Sequence, residues 1–149
     1  MDIERLLRSL SAHRARFVII GATAFPVHGY ARATLDVDLF IEDSLENATR
    51  VREALLEFGY DLSDVSVDDL RTRKVLIRQY LLEVDVHPFV KGVTFADVWQ
   101  RRVEDRIGET TAPFACLDDL IHMKEAAGRP KDVEDLRALR RLRRGGDHS

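Results

Sequence analysis

The feature that most constrains how this chain can fold is an acidic pair set into an apolar run, Thr34-Leu35-Asp36-Val37-Asp38-Leu39-Phe40-Ile41. Its alternation predicts a strand over 34–41, with Val37, Leu39 and Ile41 on one face and Asp36, Asp38 and Phe40 on the other. The two carboxylates then leave the backbone on the same side, roughly 6–7 Å apart at their bases. The same period of two in Glu83-Val84-Asp85-Val86-His87 predicts a strand over 81–87 whose Asp85 also points away from the core. Residues 75–80 read as its antiparallel neighbour. Three carboxylates on a half-buried sheet face are costly unless a cation compensates them. Magnesium suits that role, because it is hard, prefers oxygen ligands and is commonly shared between carboxylates and phosphates. An Asp-x-Asp pair taken alone fits the wet face of a strand equally well, so the metal reading depends on its surroundings.

Upstream, Phe17 to Ile20 reads as a short buried strand running into Gly21-Ala22-Thr23, with a brief helix over 24–30 that tolerates Pro26 in its first turn. A glycine turn entering a helix offers backbone N–H groups to a triphosphate. Downstream, a helix over 117–127 has an apolar stripe, Leu117, Leu120 and Ile121, that Lys124 continues. Asp132 and Asp135 border the inward face of a last helix opened by Pro130 and buried through Val133, Leu136 and Leu139. Lys124 therefore either pairs with one of these acids inside the protein or reaches a nucleotide phosphate.

The remaining elements are a first amphipathic helix through Ile3, Leu6, Leu7 and Leu10, and a helix begun by Asp43 and Glu46 at capping-box spacing and ended by Gly59. Residues 60–73 read as an irregular segment, 94–102 as a helix and 110–114 as a strand. The fold class is α+β, a small mixed sheet flanked by helices with a C-terminal helical pair. Residues 1–144 form one domain and 145–149 a frayed tail. With 45% hydrophobic and 33% charged residues over 149 positions, the balance is that of a globular domain. The single cysteine, Cys116, precludes an intramolecular disulfide and fits a reducing cytoplasmic setting. No stretch has the length of a membrane span, and no membrane partner is expected. A net charge of −3 gives no global attraction to nucleic acid, and the arginines bunched over 137–144 read as a solvated helix face. His28 and His87 read as capping or core residues, and Trp99 and Tyr80 as core or groove residues. No cysteine or histidine pair has zinc-ligand spacing.

The series Phe17-Val18-Ile19-Ile20-Gly21-Ala22, His28-Gly29, Arg32-Ala33-Thr34-Leu35-Asp36-Val37-Asp38 and Glu83-Val84-Asp85-Val86-His87 resembles the DNA polymerase β-like nucleotidyltransferase superfamily. Asp119-Leu120-Ile121-His122-Met123-Lys124 followed by Gly128-Arg129-Pro130-Lys131-Asp132-Val133-Glu134-Asp135-Leu136 is similar to the C-terminal motif of its small bacterial AbiEii-toxin-like branch. The resemblance implies that Asp36 and Asp38 hold two magnesium ions, or manganese in their place, bridging a nucleoside triphosphate. Asp85 would hold one ion and help to deprotonate a hydroxyl acceptor. Gly21, Ala22 and Thr23 would cradle the β and γ phosphates, Lys124 and Arg32 would bind nucleotide, and Asp132 would orient Lys124 or contact the nucleotide substrate. It further implies an acceptor such as tRNA or a protein, and a cognate antitoxin as partner. The family's turn is usually Gly-Gly or Gly-Ser, so Gly21-Ala22 departs from it and bears on phosphate affinity. Two alternatives stand beside the toxin-like transferase: an inactive relative serving as an antitoxin or binding module, and a lincosamide-type antibiotic-modifying enzyme, since Asp85-Val86-His87-Pro88 is similar to those.

Overall fold

Leu6, Leu7 and Leu10 lie fully buried along one side of helix α1 (Asp2–Ala12), which opens the chain in a computed structural model describing residues 2–32, 34 and 36–146. Strand β1 (Phe17–Ile20) follows, buried at every position, and runs directly into a 3₁₀ helix, Gly21–His28. The chain returns as β2 (Asp36–Ile41), continues through α2 (Leu45–Phe58) and α3 (Val67–Thr72), and forms β3 (Val75–Ile77) and β4 (Glu83–His87). Helix α4 (Phe95–Gln100) leads to the hairpin of β5 (Val103–Ile107) and β6 (Thr110–Phe114). Helix α5 (Leu117–Ala127), a 3₁₀ turn at Pro130–Asp132 and α6 (Val133–Gly146) complete the chain.

The six strands make one mixed sheet in the order β3-β4-β2-β1-β6-β5. Strand β2 runs antiparallel to β1 and parallel to β4, and β1 runs parallel to β6. Val37, Leu39 and Ile41 are buried, as alternation requires, along with Val84 and Val86 of β4. On the opposite face of β2, Phe40 is covered by α4, where its ring meets Phe95 edge-on at 5.4 Å. That cover stops short of Asp36 and Asp38, which stay partly exposed. Hydrogen bonds tie the framework behind them. Buried Asn47 accepts from the Arg16 amide at 2.6 Å and donates to the Arg16 and Glu42 carbonyls at 2.9 Å each, fastening α2 to the entry of β1.

The expected α+β class holds, with several local differences. The irregular segment expected at 60–73 contains α3, fixed by a capping box in which Ser66 and Asp69 serve each other's backbone. Ser44, not Asp43, caps α2, its hydroxyl accepting from the Asn47 amide. Strand β5 had not been foreseen; its middle is charged and exposed, as suits a sheet edge. Val133 is exposed rather than inward, because at six residues before the fully buried Leu139 it lies about 120° around the helix from it. Tyr80 is exposed, packing one ring face on Tyr60 and donating its hydroxyl to the Gly59 carbonyl at 2.8 Å. The brief helix starts at Gly21 instead of Ala24, β2 starts at Asp36 instead of Thr34, and β3 and β4 are shorter than expected. Helix α6 carries on through Gly146, two residues into the expected tail, and 147–149 lie outside the described residues. Among the described residues, no helix is long and apolar enough to cross a membrane.

Asp119 in the first turn of α5 is 1% exposed and bound by both Arg101 Nε and Nη2, at 3.1 and 2.8 Å. This clamp holds α5 to the end of α4. Arg101→Ala, which strands a buried carboxylate, should cost about 3–5 kcal/mol in urea unfolding, and Asp119→Asn distinctly less.

Candidate active site

Parallel pairing of β2 with β4 sets Asp36 beside Glu83 and Asp38 beside Asp85, and cross-strand partners share a face. Four carboxylates therefore occupy adjacent rows of one sheet surface. On the other side of β2, Ile20 pairs with Asp38, so the residue after it, Gly21, meets the same acid. Gly21 has φ +71°, a left-handed conformation that side chains disfavour, and a Cβ there would lie 2.5 Å from Asp38 Oδ2. The glycine is thus required twice, by backbone and by space. Thr23 does not point its hydroxyl into the cleft; it donates to the Asp36 carbonyl at 2.9 Å and fixes the start of β2 against the 3₁₀ helix. No side chain caps that helix, so its first amides keep their donors for another acceptor.

Asp38, Asp85 and His87 converge most tightly, each offering a ligand atom within 4.8 Å of the others. His87 Nε2 lies 2.9 Å from Asp38 Oδ1. The expectation of a capping or core role for His87 thus gives way to a place on the carboxylate face, which its period-two offset from Asp85 already implied. Asp36 is the register partner of Glu83, which sets their like-charged carboxylates side by side. Asp36 accordingly raises the Glu83 pKa, with burial and Asp85 adding to it and Arg78 opposing it. Arg78, just past the end of β3, supplies the local counter-charge: it grips both oxygens of the buried Asp85 and reaches Glu83 at 3.3 Å. Its own pKa is raised, chiefly by Asp85. Two carboxylates and an imidazole nitrogen converging beside a guanidinium counter-charge form a donor set that fits a divalent cation.

Facing this surface across a cleft of about 580 Å³ are α5 and the turn before α6. Lys124 Nζ donates to Asp132 at 3.0 Å and Asp135 at 3.3 Å, so the expected internal pairing is present with both acids at once. An ammonium has three N–H groups, which leaves one of them for the cleft. Arg32 binds Asp135 at 2.6 Å, Arg129 binds Asp132 at 2.7 Å, and the Tyr30 hydroxyl donates to Asp135 at 3.0 Å. Burial pushes the Asp132 carboxyl up, but Arg129 and Lys124 together hold it below its ordinary value. Asp135 in turn raises the Tyr30 pKa through their hydrogen bond.

Of the residues singled out from sequence, Gly21, Ala22, Arg32, Asp36, Asp38, Asp85, Lys124 and Asp132 all line this cleft. Thr23 instead lines a neighbouring cleft of about 790 Å³ that shares Ala22, Arg32 and Asp36 with it. Glu83, Arg78, Lys74 and Lys91 had not been picked out. The chain has four lysines against nineteen arginines, and Lys74, Lys91, Lys124 and Lys131 line this one cleft. Lysine is a mobile point charge of the kind suited to phosphates, and its confinement here concentrates flexible positive charge at the cleft. His28 is structural, as expected, with Nε2 at 2.8 Å from the Ala115 carbonyl.

A mixed sheet with flanking helices, carrying carboxylates on adjacent parallel strands beside a tight glycine turn, is compatible with a nucleotidyltransferase fold. Residues 1–142 match the family described as nucleotidyltransferase of unknown function, DUF6036, and the chain belongs to that family. No curated protein matches it.

Gly21→Ala should lose about 1–2 kcal/mol in thermal or urea unfolding, from the left-handed backbone alone, and should displace Asp38. Asp132 sets an acid limit on stability. Because its folded pKa lies below the unfolded value of about 3.9, its contribution is complete above that pH and disappears as pH falls through the folded value. Asp132→Asn should therefore flatten the loss of stability between about pH 5 and the acid limit, measured by urea midpoints across that range.

Proposed function

We propose that the protein transfers a nucleoside monophosphate from a nucleoside triphosphate to a hydroxyl acceptor. The observation that carries this reading is the convergence of Asp38 and Asp85, from paired parallel strands, on a cleft that also holds Gly21 and every lysine of the chain. In the reaction the acceptor oxygen bonds to the α phosphorus while the bond from that phosphorus to the bridging oxygen breaks, and pyrophosphate leaves. Magnesium or manganese, held by Asp38 and Asp85 with Asp36 beside them, would neutralise the triphosphate and ease ionisation of the acceptor hydroxyl.

The chain's own groups supply the rest. In this reading Asp85 takes the acceptor proton. For that it must be released by Arg78, which already holds Glu83 and can shift onto it. Lys124 is steered by Asp132 and Asp135, and Arg32 by Asp135, so two cations stand fixed opposite the carboxylate face to bind phosphate oxygens. Lys74, Lys91 and Lys131 add mobile positive charge around the rim. The resemblance of 119–136 to the AbiEii-like motif supports a toxin–antitoxin setting, with tRNA or a protein as acceptor and a neighbouring gene product as antitoxin. Growth arrest on induction, relieved by co-expression of that neighbour, tests the setting.

A second reading, a non-catalytic binding module, is favoured by one observation: Arg78 occupies both oxygens of Asp85. Labelled transfer separates the two. With α-³²P nucleoside triphosphates and magnesium, the wild-type chain should label an acceptor in cell extract, and Asp38→Asn and Asp85→Asn should each lower the rate by about a hundredfold or more, the scale of losing a general base. Absence of label with all four nucleotides, or full activity in both variants, refutes the enzymatic reading.

A further inference from the structure

We infer that His87 is a direct metal ligand, and that the centre formed by Asp38, Asp85 and His87 selects a transition-metal ion such as manganese or cobalt over magnesium; the inference rests on the nucleotidyl-transfer reading of the same cleft. The spacing is that of a coordination shell. In an octahedral centre with bonds of about 2.1 Å, adjacent ligand atoms lie about 3.0 Å apart and opposite ones about 4.2 Å. His87 Nε2 and Asp38 Oδ1 stand at 2.9 Å, the separation of adjacent ligands. All three ligand atoms lie within 4.8 Å of one another, and an ion would seat among them once Arg78 moves off Asp85 and that carboxylate turns toward the other two ligands.

The positions are also held. Asp38 and Asp85 are register partners, and His87 follows Asp85 by two residues on the same face, so all three ride on the hydrogen-bonded pair of β2 and β4. The His87 ring is largely buried, its side chain 15% exposed, and Phe40, its partner in register, is pinned by α4. A ring held this way has few orientations other than toward the carboxylates.

Ligand chemistry then sets the metal. Magnesium takes oxygen ligands and gives up water reluctantly, whereas imidazole suits zinc, copper, iron and nickel best and is taken by cobalt and manganese more readily than by magnesium. Affinity for a mixed nitrogen and oxygen site rises from manganese through cobalt, so one imidazole among carboxylates tilts the centre away from magnesium.

The test uses the intact chain with metal alone. Binding of Mg²⁺, Mn²⁺ and Co²⁺ is measured by calorimetry for wild type, His87→Gln and His87→Ala, with circular dichroism confirming the fold. Pulsed electron paramagnetic resonance of bound Mn²⁺ reports ¹⁴N coupling from a coordinated imidazole. Coupling in wild type that vanishes in both variants, with Mn²⁺ binding about tenfold weaker and Mg²⁺ binding within about twofold, is the expected result; tenfold is the scale on which losing one group of the ligand environment lowers metal affinity. Mn²⁺ bound without ¹⁴N coupling, or equal weakening of both ions, overturns the assignment and leaves His87 as a hydrogen-bond donor that positions Asp38. In that case nucleotide binding with magnesium, measured on the same samples, would still stand. A folded wild-type chain that binds none of the three ions overturns both the assignment and the transferase reading.

Discussion

The pairing of β2 with β4 is the constraint from which the rest of the molecule follows. It places Asp36, Asp38, Glu83 and Asp85 on one surface, an arrangement that like-charge repulsion opposes. The fold answers with several devices at once. Arg78 reaches in from the end of β3 to the most buried of the four acids and to Glu83, whose pKa Asp36 raises. Hydrophobic burial on the opposite face, through Val37, Leu39, Val84 and Val86, holds the strands together despite the charge. A protein spending stability in this way is organised around something that must meet those acids.

The second half of the cleft is built by a different logic. Asp132 and Asp135 are almost fully buried, and each is shared between cations: Lys124 and Arg129 on the first, Lys124, Arg32 and the Tyr30 hydroxyl on the second. Removing Asp132 would free Arg129 and removing Asp135 would free Arg32, while Lys124 would keep the acid that remains. The network fixes α5, the turn before α6, and the segment after the 3₁₀ helix in one geometry, so elements distant in sequence present positive groups toward the carboxylate strands. Negative and positive walls thus face each other, each internally compensated, and in the proposed reaction a triphosphate with its cation would lie between them.

Much of this was legible in the sequence because it rests on short periods. Alternation exposed Asp36, Asp38 and Asp85, and helical spacing brought Lys124 into the apolar stripe of α5, beside Asp132 and Asp135. His87 obeys the same alternation as Asp85, and a lone histidine before a proline simply carries a weaker signal. Glu83 shares that alternation too, but its place beside Asp36 depends on the parallel register of β2 with β4, and no period marks Arg78, just past the end of β3, as the partner of Asp85. Helix α3 escaped because six residues with one buried side chain, Leu70, leave no periodic trace. Strand β5 escaped because Glu104, Asp105 and Arg106 break the apolar pattern; the two-residue Gly108-Glu109 turn, with Gly108 at φ +60°, was the available clue.

The distribution of lysine has a practical corollary. Because arginine carries nearly all the remaining positive charge, the side-chain primary amines of this chain are gathered around a single opening. Acylating reagents, aldehyde fixation and coupling to amine-reactive supports will therefore converge on that opening rather than scatter over the surface. Enzymatic acetylation would do the same, stripping charge from the rim while leaving the arginine-bound framework beneath it intact.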